Sequence, residues 1–588
     1  MKIKKSIALL MVLGSLVSCV TLEDVISQKP SDEEPTSIFD SVTSEEDPTS
    51  IIDSISDGEG TSESDVKPAD LTNFSTDIIN DPVITYTEAD YTVKPFKNGF
   101  TYPLDAQVQP TNAYLEFWHQ ESLLSFHIVA SKQVFSLIEF HGYHDQKNAD
   151  LYWPVTVDVT MNGKRFTYYE VGMRMKGNTS RKQFLDSGTK EFINSVSFKL
   201  SFNELWDDPL YAPFNLQKTW TEAANPEWKV RDDRTFMGNE SGKLGMKKLD
   251  FKWNKSRDSS LVMQPYAFGF FQKHGLISQN STLTTLKLNN TRMGIVTVNE
   301  PVDKHLLRRY FPKAAAAGDL YKVGWDDSNM GNLRYENYLE KNTIIGEEDK
   351  FNYYTPIYDA KEFDDTLPNP HEKLINLMRV LQENEGKSIA EFSVALEAIV
   401  DIDSFLSYAA LSYLAGNPDD MRNWGNNYYI FFNPSNGNKA TFIPYDYDWS
   451  FGLTWNTGNI SMLDVSPYST KHQLDRTKWQ SNRLYWYTIV ESTDGARPYP
   501  NISLNPAYKA TYSANLTAYN NDPYYTVANY DSYFNTYKGV YGDLTVSDLD
   551  NKVYENDVNL GPISPFIDTY LMTRFINNTK QTLIANSL

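Results

Sequence analysis

Residues 415–452 read AGNPDDMRNWGNNYYIFFNPSNGNKATFIPYDYDWSFG and carry the strongest local pattern in this chain of 588 residues. An apolar run with helical spacing precedes the stretch. The stretch itself continues as a polar loop, a strand, a turn and a second strand. This order predicts a β-hairpin that presents polar side chains where its second strand ends.

Two acidic residues, Asp446 and Asp448, lie two positions apart in a segment that we expect to be extended. Their carboxylates should then project to the same side and repel each other. A Mg²⁺ ion held by carboxylate and amide oxygens would relieve that repulsion, and Asn427 on the preceding strand offers such an oxygen. From the residues alone, a hydrogen-bonded network or a structural Ca²⁺ site would explain the pair as well.

The chain on either side of this hairpin divides into a β-rich part and an α-rich part. Alternating apolar and polar residues predict that strands dominate from about Ala113, with Asn162-Gly163 as a hairpin turn. Helical spacing predicts helices over 261–274, 373–383, 389–399, 402–415, 482–490 and 563–577, with strands over 285–288 and 294–299. The sequence thus predicts an α+β fold. Its body of roughly 490 residues is too large for one hydrophobic core, so we expect two lobes.

The net charge of −22 is concentrated near the start of the chain. Residues 20–93 contain 19 acidic residues against two lysines, and they are rich in Ser, Thr and Pro. Such a segment buries too little apolar surface to offset its ordering entropy, so we expect a disordered acidic spacer. The rest of the body is only mildly acidic and has no basic stripe, which argues against nucleic acid as a partner.

The first 19 residues have the order of a bacterial lipoprotein signal peptide. Lysines come first, an apolar run from Ile7 through Leu16 follows, and Leu16-Val17-Ser18-Cys19 resembles a lipobox. Cys19 is the only cysteine in the sequence, so lipid attachment explains it better than a disulfide or a metal site. These features predict a protein on the extracytoplasmic face of the cell membrane, anchored through Cys19. An ordinary signal peptide is the alternative.

Several stretches of the chain, in the same order, are similar to the spore-coat CotH family of atypical protein kinases. Asn427-Tyr428-Tyr429 and Pro444-Tyr445-Asp446-Tyr447-Asp448 resemble that family's Asn-Tyr-Tyr and Pro-Trp-Asp-x-Asp signatures. The other similar stretches are 172–181, 198–202, 288–303 and 318–322. The resemblance covers roughly residues 115–490 and implies a two-lobed, protein-kinase-like fold. On this basis 94–490 is predicted to be the kinase domain and 491–588 an aromatic, Asn-rich extension packed on it.

The resemblance also implies roles for the acidic and amide residues of the hairpin. Asp420 takes the role of the catalytic-loop aspartate, and Asn427, Asp446 and Asp448 those of Mg²⁺ ligands. Ordinary kinases place the loop Asn five residues after the Asp, whereas Asn427 follows Asp420 by seven, so Asp419 stays open as the base. Tyr445 stands where family members often carry Trp.

Further residues are predicted to bind the phosphates of ATP. Lys176, Gly177, Asn178, Thr179 and Ser180 resemble a phosphate cradle, because Gly permits close backbone approach and the polar side chains can meet phosphate oxygens. A surface turn would have the same composition.

Two residues follow from the kinase template rather than from a local motif. Lys199, on a strand, is the candidate for the lysine that pairs the α- and β-phosphates, although strand lysines are usually solvated. Glu300 ends an apolar strand and is a candidate to pair a lysine or to lie at the lobe junction.

Two functions from different classes remain possible on the sequence. The first is a CotH-like kinase that transfers the ATP γ-phosphate to Ser/Thr-rich surface or secreted proteins. The second is a non-catalytic surface lipoprotein that uses the same fold to bind glycans or envelope or host proteins, since ATP is expected to be scarce outside the cell. Asp420, Asn427, Asp446 and Asp448 together favour the kinase, because a binding module does not need four polar groups around a metal. Zinc-protease and α/β-hydrolase motifs are absent from the sequence.

The lipobox prediction is tested at its cysteine. The wild type should be processed and partition into detergent, whereas Cys19→Ser should remain unprocessed, because a serine hydroxyl cannot form the thioether that attaches the diacylglycerol. The measurement is the size and detergent partition of the protein expressed in a lipoprotein-processing bacterium. Normal processing of the variant would contradict the lipobox and support an ordinary signal peptide.

Overall fold

The computed structural model describes residues 111–119, 123–144, 151–177, 181–203, 235–237, 245–254, 256, 258–325, 330–348, 355–383, 387–454, 466–469, 482–491, 505–544, 548–549, 566 and 569–588. All of them belong to one compact unit, Asp57–Leu588. The predicted signal peptide, Cys19 and the acidic spacer lie outside the described residues.

Seven strands close into a β-barrel in the order β1-β2-β3-β4-β5-β7-β6. The strands are β1 Leu124–Val129, β2 Trp153–Met161, β3 Lys164–Met175, β4 Phe198–Ser201, β5 Lys248–Lys252, β6 Ser281–Leu288 and β7 Thr291–Asn299. Neighbours are antiparallel except β1 and β6, whose parallel pairing closes the barrel. The predicted turn joins β2 and β3, with φ of 52° at Asn162 and 73° at Gly163, as a tight hairpin requires.

A second sheet of five strands has the order β12-β11-β8-β10-β9. Its strands are β8 Leu320–Val323, β9 Ile345–Gly346, β10 Tyr358–Glu362, β11 Tyr428–Asn433 and β12 Lys439–Pro444. β11 and β12 form the predicted hairpin, with Tyr428 opposite Pro444. The hairpin is buried along its length and is held on its other side by β8, which also pairs with β10.

Helices surround the two sheets. The α-helices among the described residues are α1 Asn112–His119, α2 Lys132–Glu139, α3 Met263–Lys273, α4 Lys304–Tyr310, α5 Tyr335–Glu340, α6 Glu372–Glu383, α7 Ile389–Glu397, α8 Ile402–Ala415, α9 Arg483–Thr488, α10 Pro506–Asn520, α11 Val527–Tyr541 and α12 Tyr570–Ala585. Within the described part of the chain, no helix has the length and apolarity that crossing a membrane requires. The α+β prediction is confirmed.

Helix α8 brings the chain to the polar loop. The side chain of Asp401 caps its first turn by accepting from the N–H of Ser404, at 3.2 Å. Its side chains are apolar almost all round, so the helix is buried. Gly416 ends it with φ of 62°, a left-handed conformation that costs glycine no steric strain. The chain therefore turns sharply out of the core at residue 416.

Some helices were missed in the sequence. We expected strands to dominate from about Ala113, but residues 112–119 form α1, whose buried Ala113, Tyr114, Phe117 and Trp118 recur with helical spacing. In α10 and α11, buried residues, most of them Tyr, also recur every three or four positions. Tyr, Asn and Thr have low helix propensity, and this composition hid the periodicity. The predicted final helix begins at Tyr570 in the structure and continues to Ala585.

Glu300 is part of a buried polar network that joins α1, β6, β7 and α4. Its carboxylate accepts hydrogen bonds from Arg309 Nε at 2.6 Å, from the Tyr114 hydroxyl at 2.7 Å and from Asn280 Nδ2 at 2.8 Å. Arg309 is fully buried, and its guanidinium lies 4.0 Å from the centroid of the Tyr114 ring. Glu300 thus pairs with an arginine, and this pairing explains its charge without a nucleotide.

Removing the arginine should destabilise the fold strongly. We expect Arg309→Met to lower the free energy of unfolding by about 3–5 kcal/mol, because Glu300 would remain as a buried carboxylate without its counter-charge. The matched control is Lys132→Met, which breaks an exposed pair with Glu191 and should cost about 1 kcal/mol or less. Chemical denaturation at pH 7 measures both variants. Equal effects of the two changes would contradict the structural role of the network.

Candidate functional site

The candidate site lies where the end of the β11–β12 hairpin faces the ends of strands β3 and β5 of the barrel. The backbone N–H of Tyr445 donates to the carbonyl of Asn427 at 3.2 Å, so the hairpin pairing extends one step beyond β12. Asn417, just after α8, donates through Nδ2 to the carbonyl of Asp446 at 3.0 Å. The polar loop and the acidic segment are therefore fixed to each other by backbone acceptors.

Asp446 and Asp448 come together by a different geometry from the one predicted. β12 ends at Pro444, and Asp446 has φ of 60°, so the segment is not extended and strand alternation does not apply. The two carboxylates nevertheless converge, because both bind the ammonium of Lys252 at the end of β5. Asp446 Oδ1 is in contact with Lys252 Nζ, and Asp448 Oδ2 lies 2.8 Å from it.

Lys252 was missed in the sequence. Burial lowers its pKa, but the charges of Asp446 and Asp448 outweigh that effect and raise the pKa above its usual range. Conversely, burial raises the pKa of Asp446, and Lys252 brings it below its ordinary value. The signal was present: Lys248, Asp250 and Lys252 alternate with two apolar residues, which places their charges on one face of a strand.

A second charge cluster lies on the neighbouring barrel strands β3, β4 and β5. Asp250 is 3% exposed; its carboxylate lies 2.6 Å from Lys176 Nζ and 3.3 Å from Lys199 Nζ. Arg174 is opposite Lys199, and Lys199 is opposite Asp250, on neighbouring strands. Burial, together with the surrounding cations, lowers the pKa of Lys199 to about 8 despite Asp250. Two lysines thus share one carboxylate.

The predicted phosphate cradle is described only in part. Lys176 and Gly177 directly follow β3, and Gly177 has φ of 103°. Asn178, Thr179 and Ser180 lie outside the described residues. Lys176 Nζ is 3.5 Å from the Tyr445 hydroxyl and 6.0 Å from the centroid of its ring, so the start of the cradle faces the acidic segment.

The two neighbouring aspartates of the polar loop have different surroundings. Asp420 is fully buried, and its Oδ1 accepts from the N–H groups of Arg422 and Asn423 at 3.0 and 3.1 Å. Asp419 is partly exposed, and its carboxylate accepts from Asn426 Nδ2 and Asn427 Nδ2, both at 3.0 Å. The structure therefore places Asp419, rather than Asp420, beside Asn427.

The electrostatics of the loop agree with this placement. Burial, and then the negative charges of Asp446 and Asp448, raise the pKa of Asp419 to about 7. Burial also raises the pKa of Asp420 to about 7, against hydrogen bonds that lower it. After burial, the charge of Asp420 contributes to raising the pKa of the buried hydroxyls of Tyr408 and Tyr447. Asp419 belongs electrostatically to the acidic pair, and Asp420 to the core behind the loop.

The oxygen donors fit a small divalent cation. Among the described residues there is no cluster of three His, Cys, Asp or Glu side chains suited to a metal. Mg²⁺ does not require one, since it usually binds one or two carboxylates and takes its remaining ligands from water and substrate phosphates. Asp446 and Asp448 would supply the carboxylates for such an ion. The Nδ2 atom of Asn427 is used by Asp419, and its amide oxygen, the atom that ligates cations, takes no part in those bonds.

Comparison with known proteins agrees with the motifs. The chain matches the family model described as CotH kinase protein over residues 213–522, which is 310 of its 588 residues. The protein therefore belongs to the CotH kinase family. The match includes Lys252, the polar loop and the acidic segment, and begins after Lys176 and Lys199. A search of curated proteins found no match.

The buried carboxylate of Asp420 should make stability depend on pH. Because its folded pKa is about 7 and its unfolded value about 4, the folded state binds more protons between these values, and stability falls as pH rises from 4 to 7. The loss is on the order of 4 kcal/mol at most, at 1.36 kcal/mol per pKa unit. Asp420→Asn should remove this part of the slope and be more stable than the wild type at pH 8.

Thermal unfolding of the wild type and Asp420→Asn between pH 5 and 8 is the measurement. Asp419→Asn is the companion variant: the pKa of Asp419 is likewise raised to about 7, so this change should remove a comparable part of the pH dependence, and the double variant should remove both parts. If the stability of Asp420→Asn falls with pH as steeply as that of the wild type, Asp420 is ionised in the folded state throughout pH 5 to 8.

Proposed function

We propose that this protein is a kinase that transfers the γ-phosphate of ATP to Ser or Thr of surface or secreted proteins. One observation carries the proposal: Asp446 and Asp448 converge beside Asn427 and Asp419. The part of the barrel opposite them carries Lys176 and Lys199. Phosphoryl transfer needs oxygen ligands for metal, cations for the phosphates and a carboxylate near the incoming hydroxyl. The site offers all three.

The barrel and the second sheet with its helices form, in this proposal, the two lobes of a kinase-like fold. Lys252 belongs to the barrel, whereas Asp446 and Asp448 follow the hairpin of the second sheet, so their contacts span the junction of the two. Such a junction suits a nucleotide, because ligand sites are commonly formed where two structural units meet.

The metal ligands would be Asn427, Asp446 and Asp448. Bound Mg²⁺ would neutralise charge on the transferred phosphoryl group and orient it. Asn417 holds the backbone of Asp446, and Asp419 holds the amide of Asn427, so the ligands are positioned before any ion arrives. This preorganisation favours the residues as ligands, since it limits the ordering that binding requires.

The phosphates would be bound by Lys176 and Lys199, with Gly177, Asn178, Thr179 and Ser180 completing the cradle. The two lysines have a single buried carboxylate, Asp250, between them. A polyphosphate would supply the missing negative charge. Glu300 has no place in this assignment, because its carboxylate is already used by Arg309, Tyr114 and Asn280.

The surroundings of the two loop aspartates support a division of their roles. Asp419 is partly exposed beside the acidic pair, so it would accept the proton of the substrate hydroxyl as that oxygen attacks the γ-phosphorus. Asp420 would act as a positioning residue, since its carboxylate binds the backbone of the loop. The motif resemblance favoured Asp420 as the base, and its loop leaves room for either residue.

The setting of the reaction is proposed from the sequence alone. The signal peptide and Cys19 support anchoring on the extracytoplasmic face of the membrane, and the substrates would then be Ser/Thr-rich proteins of the same compartment. The nucleotide is ATP and the metal Mg²⁺.

Asp446→Asn should abolish metal-dependent binding of ATP while the fold stays intact, because the change removes a charge that the cation requires and preserves the shape. Asp419→Asn is the matched variant: it should retain ATP binding and lose most phosphotransfer, typically by about 10²–10⁴-fold for a general base. Calorimetry with ATP and Mg²⁺ measures binding, and phosphorylation of a Ser-rich peptide measures transfer.

Three outcomes would change the proposal. Absence of binding heat from the wild type at millimolar ATP would favour the non-catalytic lipoprotein. Unchanged transfer by Asp446→Asn would remove this residue from the metal site. Full activity of Asp419→Asn together with an inactive but folded Asp420→Asn would restore Asp420 as the base.

A further inference from the structure

Lys252 connects the barrel to both predicted metal ligands. Its ammonium contacts Asp446 and lies 2.8 Å from Asp448, although these residues follow the hairpin of the second sheet. The side chains of Lys252, Asp448 and Asp446 are 17%, 13% and 32% exposed, so water screens the contact with Asp448 poorly and the contact with Asp446 only in part. One cation of the chain itself therefore already occupies the place between the two carboxylates.

A divalent cation at this place would need the same oxygens. Mg²⁺ binds carboxylate oxygens at about 2.0–2.1 Å with strict octahedral geometry. An ammonium hydrogen-bonded to those oxygens would be left within a few ångströms of two additional positive charges, in a site where repulsion is weakly screened. Lys252 and the metal ion thus compete for one position.

Other cations strengthen this competition. Lys176 and Lys322 also act on Asp446 electrostatically. Both ammonium groups lie near the ring of Tyr445, at 6.0 and 5.1 Å from its centroid. A free divalent cation therefore approaches a carboxylate pair surrounded by three lysines, whereas a cation accompanied by polyphosphate brings compensating negative charge.

We infer that Lys252 is a resident counter-cation that keeps free divalent metal off Asp446 and Asp448 until a polyphosphate offers the lysine another anionic partner. The inference rests on the proposed function, since it takes these aspartates as metal ligands. The flexible four-carbon stem and compact charge of lysine suit a transfer from carboxylate to phosphate. Lys252 then joins the phosphate-binding residues.

The consequence is positive coupling between metal and nucleotide. Each ligand raises the affinity for the other by the same factor, because the coupling free energy is reciprocal. The nucleotide withdraws Lys252 from the carboxylates, and the metal releases Lys252 for the phosphates. Metal without nucleotide binds weakly for as long as the lysine occupies its place.

The test measures binding of Mn²⁺ to the full-length protein, with and without ADP, by electron paramagnetic resonance of the free ion. The wild type should bind Mn²⁺ weakly alone and tightly with ADP. Lys252→Met removes the charge and keeps most of the length of the side chain, so it should bind Mn²⁺ alone roughly 5–150-fold more tightly than the wild type, the usual range of such coupling. ADP should then improve Mn²⁺ affinity far less than it does in the wild type.

Lys248→Met is the matched control. It lies on the same strand, and its ammonium is 5.5 Å from the Tyr152 ring centroid rather than on the acidic pair. It should retain weak binding of Mn²⁺ alone and the wild-type effect of ADP. The double variant Lys252→Met/Asp446→Asn should lose the tight Mn²⁺ site, which assigns that site to the aspartates.

Thermal unfolding provides an independent readout, and Lys252→Gln serves if the Met variant does not fold. Mn²⁺ alone should raise the unfolding temperature of the Lys252 variant more than that of the wild type. If Lys252→Met binds Mn²⁺ alone no better than the wild type and ADP retains its full effect, the inference is wrong while the proposed metal site stands. If no variant binds Mn²⁺ even with ADP, the metal site and the inference fall together.

Discussion

The contact of one ammonium with two carboxylates determines how the barrel and the second sheet meet at the candidate site. Asp446 and Asp448 would repel each other in their partly buried setting without a cation, and Lys252 supplies it from β5. The position of Asp446 is in turn fixed by Asn417 at the end of the core helix. The buried helix ends at the left-handed turn of Gly416, and the next residue, Asn417, binds the backbone of Asp446. The core helix is therefore connected directly to the ion pairs of Lys252 with the two aspartates.

The sequence predicted the parts of the fold whose pattern is local. The β11–β12 hairpin, the turn at Asn162-Gly163 and the helix over 402–415 follow from apolar periodicity and turn chemistry, and the structure confirms them. The helices of the C-terminal part were harder to predict. Their stability comes from tyrosines packed against the core, as in the hydrogen bond from the hydroxyl of the buried Tyr530 to Ser260 Oγ at 2.6 Å, and such tertiary contacts leave little trace in propensity.

The site was predictable in its residue types and less so in its geometry. Asp446 and Asp448 were expected to converge because strands alternate, yet they converge after the strand has ended, through a left-handed residue and a shared lysine. Neighbouring Asp419 and Asp420 show the same limit, since Asp419 lies beside Asn427 and the acidic pair whereas Asp420 is buried in the core. Which way each of two identical side chains points depends on backbone turns that composition does not encode.

The parallel pairing of β1 with β6 has a consequence for how this chain must fold. β1 to β4 precede the family match at 213–522, while β5, β6 and β7 lie within it, so the barrel closes with strands from both sides of that limit. Later in the chain, the hydroxyl of Tyr541 donates to the carbonyl of Leu283 and accepts from the N–H of Leu124, bridging β6 and β1. A fragment restricted to the matched residues would keep three barrel strands with open edges, and unpaired strand edges promote association between chains. The unit that folds cooperatively is thus larger than the segment by which the family is recognised.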